Sequence, residues 1–123
     1  MRIMKTRSVL ATVFAALAFA AAAPASALTC IGAINYLALG SGTYTGQVVV
    51  GTVGTPPHAI CSIEVAGPPF SVSPTVCKGV YAGLLAAKVT SASISLYYTM
   101  GGTCASIAAW SVQPSFYLVE PLN

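Results

Sequence analysis

What this chain can fold into is constrained first by a segment that reads as removed before folding. Arg2, Lys5 and Arg7 open the sequence, and a run from Val9 to Ala23 follows whose one polar member is Thr12. Ala25-Ser26-Ala27 then has the small-x-small form that signal peptidase cleaves. This is the three-part grammar of a secretory signal over residues 1–27, and 15 residues is short for a membrane span. The expected destination is secreted or periplasmic. Cleavage after Ala27 leaves 96 of the 123 residues, a length suited to one domain over 28–123. It also puts Cys30, Cys61, Cys77 and Cys104 in an oxidising compartment. Ala27-Leu28-Thr29 lacks the Leu-then-small pattern of a bacterial lipidation signal, so the product is expected to carry no lipid at Cys30.

Four cysteines allow three pairings. Cys61–Cys77 is favoured because it ties a strand to the start of a helix, and Cys30–Cys104 then ties the first strand to a late loop. Spacings of 31, 16 and 27 residues offer no close C-x-x-C pair, so structural disulfides are expected and a metal site is not.

After cleavage the formal net charge falls from +3 to 0, with Lys78 and Lys88 against Glu64 and Glu120. Two lysines cannot neutralise a run of phosphates, so nucleic acid is a poor partner. No later apolar run approaches the roughly 20 residues of a spanning helix. Catalytic chemistry is equally thin. The chain has one histidine, His58, and its only acids are the two glutamates. No G-x-S-x-G elbow or phosphate-cradling glycine motif occurs. His58 sits beside Pro56-Pro57 and reads as a solvated turn residue, and Glu120 lies three residues from the last. The expectation is a non-catalytic protein without cofactor.

Along the chain, strands are expected at Cys30–Leu39, Tyr44–Val53 and Ala59–Val65, where β-branched and aromatic residues lie between Gly- and Pro-rich turns. Gly46 inside the second marks a bulge or a close backbone approach. Ser73 then caps a helix with Pro74 at its first position. Cys77, Val80, Tyr81, Leu84 and Leu85 form its apolar face, to about Lys88. Gly79, Ala82, Gly83 and Ala86 form a separate small-residue stripe, a candidate oligomer contact or a bare surface. Ser93–Tyr98 alternates as a fourth strand, which sends Tyr97 and Tyr98 to opposite faces. Ile107–Val119 supplies a fifth, interrupted near Pro114. Three strands, a helix and two strands match a mainly β, five-stranded OB-like Greek-key barrel, with the helix between strands 3 and 4 and two disulfides. An open antiparallel sheet with one packed helix has the same element order.

Six tyrosines and Trp110 lie among Ser, Thr and Gly. A tyrosine offers a flat apolar face with a hydroxyl at its edge, which suits a sugar. The run Tyr44-Thr45-Gly46 leading into a valine strand, Ile60-Cys61 before Ile63-Glu64, Cys77, the Tyr81 helix and Ile94-Ser95-Leu96-Tyr97-Tyr98 resembles the B subunit of subtilase-type AB5 toxins. The resemblance implies an OB-fold protein that assembles into a ring, binds glycans and serves a separate catalytic subunit. By position it implies that Tyr44, Thr45 and Tyr98 contact the sugar. The rival expectation is a secreted or envelope protein-interaction domain without a small ligand.

Overall fold

The structure, a computed structural model, describes residues 27–122. The expected signal segment therefore lies outside the described residues except for Ala27. The first strand, β1 (Leu28–Leu39), is long enough to serve two partners. Its first half pairs antiparallel with β4 (Ser93–Tyr98), from Leu28 opposite Tyr98 to Ala33 opposite Ser93. Its second half pairs antiparallel with β2 (Gln47–Thr52), from Ile34 opposite Thr52 to Leu39 opposite Val48. The register shifts between Ile34 and Tyr36, where one extra residue, Asn35, is accommodated. With β3 (Thr55–Ser62) and β5 (Phe116–Pro121) the sheet order is β3-β2-β1-β4-β5. Every neighbouring pair of strands is antiparallel.

Among the described residues, the mainly β class, the five strands and one long helix between the third and fourth agree with the sequence, whereas several boundaries moved. The second strand begins at Gln47, because Gly42–Tyr44 forms a 3-10 turn and Gly46 takes a positive φ of 71°. A side chain at Gly46 would also press on Glu64 and Ser62, so the close approach read from the sequence is real. The third strand starts at Thr55 and so takes in Pro56, Pro57 and His58. Gly54, at φ 89°, makes the turn instead. The two prolines fit because the β2–β3 register shifts between Val50 and Thr52, where the ladder does not need their missing N–H groups. The last strand is shorter than expected. Cys104–Ser106 is a 3-10 turn, and residues 110–113 run beside β3 instead of continuing β5.

The helix, α1 (Pro74–Val89), starts where Ser73 accepts a hydrogen bond from the Val76 N–H. It packs against β1, β3 and β5. Cys77, Leu84 and Ala87 are buried, with Val80 and Tyr81 partly so. The buried face therefore follows positions 77, 80, 84 and 87. Leu85, one residue round from Leu84, is left 41% exposed. The helix ends in a Schellman motif: the Ala92 N–H bonds the Ala87 carbonyl and the Ser91 N–H bonds that of Lys88. Ser91 occupies the left-handed position at φ 55°, which glycine adopts without strain.

Between the sheet and α1 lie Cys30, Val48, Val50, Ile60, Ile94, Leu96, Tyr98 and Phe116, all essentially inaccessible to solvent. Two disulfides bracket this core. Cys61–Cys77 joins the end of β3 to the first turn of α1, and Cys30–Cys104 joins β1 to the 3-10 turn at Cys104–Ser106. Their Cα separations are 5.8 and 5.7 Å, and the pairing is the one favoured from the sequence. Disulfides fit an oxidising compartment. Among the described residues no helix is long and apolar enough to cross a membrane.

The two bridges differ in the length of chain they close, 16 against 74 residues of separation. Chain entropy predicts that Cys61→Ala/Cys77→Ala costs about 3 kcal/mol and Cys30→Ala/Cys104→Ala about 4.5 kcal/mol. Urea unfolding of the two double variants checks both the sizes and the order. Ser91→Gly should stabilise the protein by about 1 kcal/mol in the same assay, by removing the side-chain clash at the left-handed position.

Candidate functional site

Beyond the shift at Asn35, β1 presents Tyr36 and Ala38 on the side of the sheet away from the core. Tyr36 stands opposite Gly51, and Ala38 stands opposite Val49. On β2, Val48 and Val50 point into the core, so Gln47 and Val49 share the outer face. Ala59 extends this face from β3. The loop after β1 folds over one end of it through Gly40, Ser41 and Tyr44. Together these residues and Trp110 line a cleft of about 420 Å³. A volume of this order is normal for a small-molecule site, as is a wall of aromatic groups with a few polar ones. The polar ones here are the Gln47 amide and the Ser41 and Tyr44 hydroxyls.

Trp110 is the most constrained member of the cleft. Its φ is +62°, a left-handed conformation that a bulky residue adopts rarely. The segment that carries it is held against β3 by three hydrogen bonds. The Trp110 N–H donates to the Pro57 carbonyl at 2.7 Å and the Ala59 N–H to that of Ser111 at 2.8 Å. The Gln113 N–H donates to the Ala59 carbonyl at 2.9 Å. The indole meets the Tyr36 ring edge-to-face, with centroids 5.2 Å apart at 90°, yet remains 61% exposed. A strained backbone that holds a large aromatic ring in solvent is a pattern of binding sites, not of cores.

The three residues expected to hold a sugar lie in different places. Tyr44 lines the cleft and is 58% exposed. Thr45 is exposed beside it, but its hydroxyl donates to the Gly42 carbonyl and so secures the 3-10 turn that carries Tyr44. Tyr98 does not share that surface. It is wholly buried between His58 and Phe116, because the alternation of β4 turns Tyr98 inward and Tyr97 outward. Tyr97 instead donates to a Glu120 oxygen at 2.9 Å beside Tyr117, and the acceptor carboxylate raises the phenol pKa. Gln47 was not singled out by the sequence reading, and Tyr36 and Trp110 were read only as part of the aromatic set, not as sugar contacts. The signal that could have found Trp110 was its rarity as the one tryptophan, in a segment poor in other strand formers. The small-residue stripe Gly79, Ala82, Gly83 and Ala86 is exposed along α1, with nothing packed over either glycine.

His58 is also not where the sequence put it. It lies in β3, fully buried, and not in a solvated turn. Its Nδ1–H donates to the Pro56 carbonyl at 2.7 Å, which leaves Nε2 to accept the Tyr98 hydroxyl proton. With both nitrogens engaged and no solvent access, His58 offers no free base to a ligand. Burial lowers its pKa, the Pro56 hydrogen bond opposing more weakly, and burial raises that of Tyr98. No family model, curated protein or solved structure matches this chain.

The unfolded state holds His58 at its ordinary value of 6.5, above that of the folded state. Below pH 6.5 the unfolded chain therefore binds more protons, and stability present above that pH is lost as the pH falls. His58 should therefore contribute acid sensitivity between pH 7 and 5. Urea midpoints should drop over that interval in the wild type and drop less in His58→Gln.

Proposed function

We propose that this chain is a secreted, non-catalytic carbohydrate-binding module of OB-like architecture. The sugar sits on the outer face of β1, β2 and β3, against Tyr36, Tyr44 and Trp110. The single observation that carries the reading is the exposed Tyr36–Trp110 pair, held at the mouth of the cleft by a strained backbone. Aromatic faces next to hydroxyl and amide groups match the alternation of apolar and polar surface on a sugar ring.

The OB-like reading draws support from three features. β1 serves two ladders, and α1 falls between β3 and β4. Residues 110–113 lie parallel to β3, with Ala59 bridging Val112, in the way that joins the two edges of such a barrel. In that architecture the second and third strands, with the loops after the first and fourth, form the usual ligand face. The cleft lies on those same elements. The signal-like segment 1–27 and the two disulfides support export. The toxin-subunit resemblance extends the proposal to a ring of copies serving a separate catalytic chain, with the bare stripe of α1 as the surface open to a neighbour.

The test is a glycan-array screen of the mature, oxidised protein beside two variants. Trp110→Gly removes the indole and relieves the positive φ, so its unfolding free energy should stay within about 1 kcal/mol of wild type. Its glycan binding should fall below detection. Tyr98→Phe should bind as wild type does, while losing about 1–3 kcal/mol of stability because His58 Nε2 is left unpaired in the core. Undiminished binding by folded Trp110→Gly would overturn the site.

A further inference from the structure

The face that carries the cleft does not end at Tyr36. On the far side of that ring lies a second, shallower cleft of about 570 Å³, lined by Asn35, Thr52, Thr55, Pro56 and Pro57 of the strands and by Ala105. Tyr36 lines both clefts, so the two adjoin at that ring, with Trp110 on the side of the first. Gly51, opposite Tyr36 on β2, leaves the floor flat at the crossing point. A Cβ there would lie 3.1 Å from both the Asn35 side-chain oxygen and Pro57, a tight contact that one of them would have to relieve by a small shift.

The two clefts are also without charge. None of the residues lining either cleft is Asp, Glu, Lys or Arg. Glu64, Lys78, Lys88 and Glu120, the charged residues of the described chain, all lie outside them. An anionic ligand would give up hydration here with no cation to replace it. An uncharged one meets aromatic faces, hydroxyls and amides along the full length.

We infer that the ligand is an uncharged oligosaccharide, long enough to cross the Tyr36 ring and occupy both clefts. The inference rests on the carbohydrate reading above and adds length and charge to it. A single ring occupies part of one cleft. A longer chain of three or four rings reaches the second, where the exposed Asn35 amide meets it.

The experiment uses the mature, oxidised protein and immobilised glycans built from galactose, N-acetylglucosamine and mannose units. Each series is presented as one to four rings, with a sialylated counterpart. Affinity should rise at least about tenfold between the single ring and the longest member of the preferred series. The sialylated counterparts should bind no better than the neutral glycans. Ala105→Trp fills the second cleft from an exposed position that folding does not depend on. It should reduce the tetrasaccharide to the affinity of the shorter glycans and leave those unchanged. Asn35→Ala should weaken only the longer members. Affinity that is flat with length, or a tetrasaccharide indifferent to Ala105→Trp, overturns the two-cleft inference while the carbohydrate site stands. Preference for the sialylated forms overturns the inference on charge. Absence of binding to every glycan, or capture of a peptide instead, overturns the carbohydrate reading itself.

Discussion

The outer face of this protein depends on one strand pairing with two partners. β1 gives its first half to β4 and its second half to β2, and the change of partner is made at the extra residue near Asn35. A shift of one residue in a strand reverses which side chains face the core. Up to the shift, Cys30 points inward to its disulfide. Beyond it, Tyr36 and Ala38 point outward and Leu37 packs on the core. Without that irregularity the strand would send Tyr36 inward, and both clefts would lose a lining residue.

The partition of aromatic residues follows the same logic elsewhere. Tyr98 is taken into the core by the alternation of β4, and its hydroxyl needs a partner there. His58 supplies one with the single nitrogen that Pro56 leaves free. That hydrogen bond joins β3 to β4 across the core, between two strands that are not neighbours in the sheet. The backbone that places His58 also carries the Pro57 carbonyl that fixes Trp110. Core and cleft are therefore built on opposite sides of the same short stretch of β3. Residues 110–113 cover the edge of that strand, which would otherwise expose unpaired backbone groups.

With so few charges, the protein's surface chemistry is largely neutral. Shape, ring faces and neutral hydrogen-bonding groups remain, and these are concentrated where Trp110 and Tyr36 meet. The left-handed backbone at Trp110 costs stability, on the order of 1–3 kcal/mol, at a residue that buries little of its own surface. The two disulfides stabilise the fold against such losses in a chain too short for a large core.

The helix and the fourth strand could be read from sequence because each rests on local information, and the disulfide pairs because the order of elements favoured one pairing of three. Ser73-Pro74 marks a helix start, β4 alternates strictly, and the cysteines lie on elements whose order brings them together. The face of α1 was misplaced by a single position at Leu85, since 3.6-residue periodicity is blurred where small residues such as Ala87 serve as well as large ones. Pro56-Pro57-His58 read as a turn because proline signals one locally, and only the register shift against β2 lets it lie in a strand. The candidate site was legible in part: Tyr44 was found, Thr45 serves its turn, and Tyr98 lies inside. Sequence alone determined the composition of the protein: aromatic, hydroxyl-rich, nearly uncharged and stapled by cysteines. Only the tertiary structure decided which rings meet solvent, because that depends on strand register and on the hydrogen bonds that lay Trp110 beside β3. Those are contacts between residues far apart in the chain, and no local pattern encodes them.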